Sequence, residues 1–146
     1  VGSEMCIRDR YGDAHYRYAY SGVMRDSLPW DEQLFVLKQS IEQLLGEQFN
    51  SCLANLYEEG TQGMAWHSDG DMSLAEQTTI ASLSLGATRK FCFRHISTKE
   101  KIEMLLQSGQ LIVMRGVTQQ HWQHAIMKSQ KILQPRINLT FRQFLL

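Results

Sequence analysis

Cysteine is scarce in this chain of 146 residues. Cys6, Cys52 and Cys92 form no C-x-x-C pair and no zinc-type spacing. So odd and scattered a set excludes a disulfide framework and a cysteine-built metal centre, and it reads as reduced thiols. Long apolar runs are absent too: none approaches the ~20 residues of a membrane-spanning helix. The first ten residues, VGSEMCIRDR, lack the apolar core of a secretory signal. There is no excess charge of either sign, because 15 Lys and Arg balance 15 Asp and Glu. That balance argues against a strong nonspecific nucleic-acid binder and leaves room for a local patch. No internal repeat or low-complexity stretch is evident. These absences together predict a protein of the cytoplasm, if bacterial, or of the nucleus, if eukaryotic.

What is present is the composition of a globular domain, 43% hydrophobic and 21% charged, at a length that favours one core. Residues 1–10 read as a non-native or disordered leader. Residues 11–146 read as the domain, shortened on its N-terminal side. YRYAYSG (16–22) alternates and ends at Gly, as a strand does. The segment from Leu28 to Gln48 then changes period: Leu34, Leu37, Ile41, Leu44 and Leu45 recur at helical spacing, with Lys38 as the exception. Pro29 suits the first turn and Gly46 the stop. Short strands follow at 51–57, 78–86, 90–95, 101–106, 110–116, 121–126 and 136–144, separated by turn signals such as EEGTQG and QSGQ. Many short, evenly spaced strands with one or two flanking helices predict a mostly β fold, a sandwich or barrel.

Several polar residues are not explained by strand formation. His67 and Asp69, in MAWHSDGDM, lie two apart, so an extended backbone points both the same way. His121 and His124 lie in a later strand-like segment. His67, Asp69 and one of those two histidines would form a two-histidine, one-carboxylate triad. Such a triad leaves coordination positions open and suits non-haem Fe(II). Spacing alone does not choose between His121 and His124. H-x-D is by itself a weak signal, more often a surface pair than a metal site.

The last strand carries a second set. A period of two puts Arg136, Asn138, Thr140 and Arg142 on one face and Ile137, Leu139 and Phe141 on the other. The polar face belongs either to a half-exposed edge strand or to a cavity that binds an anion. Arginine is the preferred partner for bidentate carboxylate recognition, so two on one strand suit a dicarboxylate. Asn55 and Tyr57 share a face of the 51–57 strand and could donate to the same oxygens.

N-x-Y, then H-x-D, then a distant His, then R-x-N-x-T-x-R resembles the AlkB family of Fe(II)- and 2-oxoglutarate-dependent dioxygenases. The likeness runs from about Tyr11 to Leu146. SLSLGATRKFCFRH, HWQHAIMKSQK and the YGD…YSG opening resemble its DNA-repairing branch. The resemblance implies a double-stranded β-helix, or jelly roll, with iron between its sheets. It implies His67, Asp69 and His124 as the catalytic metal ligands, and leaves His121 a structural neighbour. It implies Asn55, Tyr57 and Arg136 at the distal carboxylate of 2-oxoglutarate, Asn138 and Thr140 on the same wall, and Arg142 nearer the metal. The activity implied is oxidative demethylation of N-alkylated bases in DNA or RNA by a monomer. Dioxygen is consumed, 2-oxoglutarate becomes succinate, and formaldehyde is released. Tyr18, Tyr20, Ser21 and Asp71 match the family's base-recognition positions. Arg17, Arg89, Lys90 and Arg94 could reach phosphates or equally form a solvated rim. The alternatives are the same chemistry on a methylated protein, a non-catalytic jelly-roll binding module, and a zinc hydrolase using the same triad.

Overall fold

The computed structural model describes residues 7–13, 17–20, 23–69 and 78–145. The chain runs β1 (Ile7–Gly12), β2 (Arg17–Tyr20), β3 (Val23–Asp26), α1 (Glu32–Leu45), β4 (Ser51–Tyr57), β5 (Met64–His67) and β6 (Ile80–Gly86). It continues through β7 (Arg89–His95), β8 (Lys101–Leu106), β9 (Leu111–Met114), α2 (Thr118–His121), β10 (Trp122–Ile126) and β11 (Arg136–Arg142). A five-stranded sheet has the order β1-β4-β11-β6-β9 and a four-stranded sheet the order β5-β10-β7-β8. Every pairing within them is antiparallel. β2 and β3 form a separate hairpin. This is the expected mostly β sandwich of jelly-roll type.

α1 forms where its signals lie. The Asp31 carboxylate caps it by accepting from the backbone N–H groups of Gln33 and Leu34, both at 3.1 Å. Gly46 ends it in the left-handed conformation, at φ 67°. Pro29 precedes the cap rather than sitting in the first turn. Ile41, with Leu34, Leu37 and Leu45, packs on Phe49, Cys52, Ala81, Leu83, Leu139 and Phe141, so the helix covers one face of the large sheet. Leu44 points to solvent instead. Lys38, the exception in the pattern, is buried: its ammonium lies over the rings of Trp30 and Phe35 and donates to Glu42 at 3.1 Å.

β11 is not an edge strand. It pairs with β4 on one side and β6 on the other, at the centre of the large sheet. Leu139 and Phe141 face α1, while Arg136, Asn138 and Thr140 are equally buried on the opposite face. A second core of Tyr57, Phe91, Leu106 and Ile126 fills part of the space between the sheets. Gly86 turns β6 toward β7 at φ 96°, where a Cβ would come within 2.5 Å of the Pro135 carbonyl.

Residues 7–10, assigned above to a leader, are strand-paired with β4 rather than disordered. An open sheet edge pairs through backbone groups that any extended segment carries, so the pairing is blind to the origin of those residues. β3, α2 and β5, the last only supposed to be extended, are absent from the strands and helix read above. Among the described residues no helix is long and apolar enough to cross a membrane.

Candidate metal and co-substrate site

β5 and β10 lie side by side in the small sheet, and their register sets His67 directly opposite His124. The two rings are 4.3 Å apart, centroid to centroid. Asp69 follows β5, with its Oδ1 4.0 Å from His67 Nε2. One ligand atom from each of the three residues lies within 4.8 Å of the others. Of the two histidines left open by spacing, the structure brings His124 to His67 and Asp69. His121 ends α2 on the surface and stacks on His95, with rings 6.1 Å apart, whereas His124 is buried beside His67.

Neighbouring groups fix the orientation of each member. His67 Nδ1 lies 2.7 Å from the Ala65 carbonyl. A carbonyl only accepts, so Nδ1 is the donor in this contact, and in the neutral ring the lone pair lies on Nε2. Ser68 Oγ donates to the Trp122 carbonyl at 2.8 Å, and Asp69 N donates to Gln119 Oε1 at 2.7 Å, tying the H-x-D segment to the start of β10 and to α2. Arg142 donates to Asp69 Oδ2 through Nη2 at 2.8 Å and Nε at 3.3 Å, which leaves Oδ1 facing the histidines. Burial pushes the Asp69 carboxyl up, but Arg142, with His124 and His67, outweighs it and holds the group below its ordinary value. Burial, aided by His67, lowers His124 to about 4, so its imidazole is neutral at pH 7.

The triad opens on a cavity of about 300 Å³ between the sheets. Its other wall is the polar face of the large sheet. The β11–β4 register sets Arg136 opposite Tyr57 and Asn138 opposite Asn55. All six predicted co-substrate residues, Asn55, Tyr57, Arg136, Asn138, Thr140 and Arg142, line this cavity. Phe91, Met64, Met114 and Ile126 supply apolar lining. β6 holds the wall in place. Ser84 Oγ accepts from Arg136 Nη2 at 2.9 Å, Ser82 Oγ accepts from Asn138 Nδ2 at 2.7 Å, and Thr140 Oγ1 donates to Asn138 Oδ1 at 2.7 Å. These two serines were missed. Their signal was available, because IASLSLG places a hydroxyl at alternate positions of an otherwise apolar strand.

The donor set fits a divalent iron: two imidazole nitrogens and one carboxylate oxygen converge from one side and leave the cavity side open. The expected phosphate contacts fare less well. Arg89 is interior, at 1% exposure, because main-chain carbonyls and the Tyr57 ring take up its guanidinium. Arg94 stacks on Trp66 at 4.4 Å and donates to Gln123. Lys90 pairs with Glu103 on the surface at 3.6 Å. Tyr18 and Tyr20, with Arg17, lie on β2. Ser21 and Asp71 fall outside the described residues.

Residues 4–142 match the family model described as the 2OG-Fe(II) oxygenase superfamily. The chain is 36% identical over 144 residues to a human protein named DNA oxidative demethylase ALKBH2, covering 93% of this chain and 55% of that one. It is 41% identical over 135 residues to the bovine alkB homolog 3, named an alpha-ketoglutarate-dependent dioxygenase, covering 86% of this chain and 47% of that one. The chain thus spans about half the length of these relatives. A solved structure titled "The structure of OsALKBH1" superposes with a TM-score of 0.59 at 22% identity, over 80% of this chain and 68% of that one, and so shares the fold.

Proposed function

Because the chain belongs to the 2OG-Fe(II) oxygenase superfamily, in its AlkB branch, we propose that it is an Fe(II)- and 2-oxoglutarate-dependent dioxygenase that dealkylates nucleic-acid bases. One observation carries the reading. The His67–Asp69–His124 cluster opens on a cavity whose facing wall is a buried row of guanidinium, amide and hydroxyl groups. A zinc hydrolase needs the first half of that arrangement and has no use for the second. We assign the dioxygenase domain from β1 onward, because Ile7–Gly12 completes the large sheet beside β4 and lies within the family match.

Iron held by His67, Asp69 and His124 would supply dioxygen activation coupled to decarboxylation of 2-oxoglutarate to succinate, with the second oxygen atom entering the alkyl carbon and a methyl group leaving as formaldehyde. The chain's own residues prepare for this. His67 presents Nε2, because Ala65 holds its other nitrogen as a donor. His124 stays neutral, because burial disfavours its charged form. Arg142 occupies one oxygen of Asp69 and so orients the other. Arg136, Asn55 and Tyr57 receive the distal carboxylate, while the Asn138–Thr140–Ser82 chain keeps the wall rigid. The apolar lining from Phe91, Ile126 and Met114 limits water around the reacting carbon.

A paired base cannot reach a buried metal, so the substrate base must leave its stack. We assign Tyr18, Tyr20, Ser21 and Asp71 to the base. The name DNA oxidative demethylase, printed for the human and mouse ALKBH2 relatives, supports nucleic acid as the substrate class. The test offers methylated single-stranded DNA, duplex DNA, RNA and peptide in parallel, with iron, ascorbate and 2-oxoglutarate. Loss of a methyl group by mass, matched by succinate, is expected on a nucleic acid. Reaction on peptide alone would sink the base-directed reading. Inertness on all four, with folded and metal-loaded protein, would sink the enzyme.

A further inference from the structure

Arg89 opens β7 and is 1% exposed, yet nothing in the site described above uses it. Its Nη2 donates to the carbonyls of Gln62 at 2.6 Å, Met127 at 2.8 Å and Gly60 at 3.4 Å, and its Nη1 reaches that of Glu59 at 3.5 Å. Its Nε has no hydrogen-bond partner. Among the described residues no carboxylate pairs with it. A buried cation satisfied only by carbonyl dipoles is costly, and its location shows what it serves. The guanidinium carbon sits 5.6 Å from the centroid of the Tyr57 ring, and that of Arg136 sits 5.4 Å from the same ring. Tyr57 lines the cavity and Arg89 does not.

We propose that Arg89 is a positioning residue for the distal carboxylate of the co-substrate, acting through Tyr57. The inference rests on the 2-oxoglutarate reading above. Two effects follow from the geometry. The first is mechanical. Residues 58–63 connect Tyr57 at the end of β4 to β5, which carries His67. Arg89 ties the carbonyls of that connection to the segment leaving β10. Gly60 permits the close approach, because a Cβ there would overlap the Ser129 carbonyl. The phenol is therefore held against the cavity wall by a fork that only arginine supplies. The second effect is electrostatic. A cation over the ring draws electron density from the phenol, which makes its O–H a better donor to an anion, and it adds positive charge next to the anion.

The experiment measures binding of 2-oxoglutarate and of 2-oxobutyrate to the Mn(II)-loaded protein. 2-Oxobutyrate keeps the keto-acid end and lacks the distal carboxylate. In Arg89→Met, affinity for 2-oxoglutarate is expected to fall ten-fold or more, while affinities for 2-oxobutyrate and Mn(II) change less than two-fold. Arg89→Lys should fall between wild type and Arg89→Met. In a Tyr57→Phe background the Arg89→Lys effect should vanish. Equal losses for both keto acids would mean a merely structural role and would overturn the proposal, as would no loss for either. Amide hydrogen exchange on the wild-type chain provides a check that needs no variant. 2-Oxoglutarate, but not 2-oxobutyrate, should protect residues 58–63, and absence of that protection also overturns the proposal. If wild type binds no 2-oxoglutarate at all, the co-substrate reading fails and takes this inference with it. If wild type binds and the variants bind equally well, only the role of Arg89 fails.

Discussion

Arg136 is 1% exposed, in a wall of hydroxyls and amides, and donates to Ser84. A charged hydrogen bond contributes roughly 1.5–3 kcal/mol, so Arg136→Ala should weaken 2-oxoglutarate binding roughly ten- to more than a hundred-fold. Calorimetric titration of the Mn(II)-loaded variant checks this, and unchanged affinity would remove Arg136 from the co-substrate site. His124 makes a pH prediction for the metal-free protein. Its folded pKa is depressed from 6.5 to about 4, so the unfolded chain binds the proton more readily than the folded one. Its contribution to stability is therefore complete above pH 6.5 and is lost as pH falls toward 4. Asp69 acts in the same direction in a lower window, because its depressed pKa lets stability drain away only below 3.8. Urea midpoints measured at pH 7, 5.5 and 4 should fall in order, and His124→Gln should flatten the upper part of the fall. Stability that is constant from pH 7 to 4 would contradict the burial of a neutral His124.

At the level of elements, α1 shows how much local chemistry settles. Its stop and apolar face follow from Gly46 and the Leu34–Leu37–Ile41 spacing, both visible in one dimension, while its start lies at the Asp31 cap, past the Pro29 first turn that the sequence suggests. Removing the cap by Asp31→Ala should cost about 1 kcal/mol, within the usual range of about 0.5–2 kcal/mol. Because α1 packs on the outer face of the large sheet and none of its residues lines the cavity, 2-oxoglutarate affinity should stay unchanged. Chemical denaturation alongside the titration measures both, and a loss of affinity would show that α1 reaches the site. β11 shows the opposite case. Period two separates its polar and apolar residues correctly, but the period is the same for a solvated edge strand and for one buried on both faces. What distinguishes them is that β4 and β6 flank it, and those strands are about 80 and 50 residues away in the chain. The Arg89 misreading has the same origin. An arginine next to Lys90 at a strand start reads as surface, and only the approach of residues 59–62 and Met127 encloses it.

For the molecule as a whole, the site belongs to neither sheet alone. The small sheet and the segment leaving β5 carry the His67–Asp69–His124 cluster, and the large sheet supplies the facing wall through Asn55, Tyr57 and β11. A metal and 2-oxoglutarate held by these residues would draw on both sheets, so they should stabilise the fold as a unit. At ligand concentrations about 100-fold above Kd, linkage gives about 2.7 kcal/mol. For a domain of this size that is a rise in Tm of roughly 5–10 °C. Differential scanning fluorimetry with Mn(II) and 2-oxoglutarate should show the rise and a chelator should reverse it. A rise with metal alone, and none further with 2-oxoglutarate, would mean that the wall of arginines does not bind the co-substrate.

The sequence by itself determined what depends on neighbours in the chain. Helix α1 and its Gly46 stop, most strand positions, the facing of His67 and Asp69, and the shared face of Arg136, Asn138, Thr140 and Arg142 all arise from backbone periodicity and side-chain size, which act over a few residues. Tertiary structure decided what depends on closure between distant segments. It placed His124 rather than His121 opposite His67, buried the polar face of β11, enlisted Ser82 and Ser84 from β6, and turned Arg89 inward against Tyr57. Each of those outcomes is a strand register or a sheet-to-sheet contact, set by the best simultaneous burial of all the strands, and no local pattern encodes it.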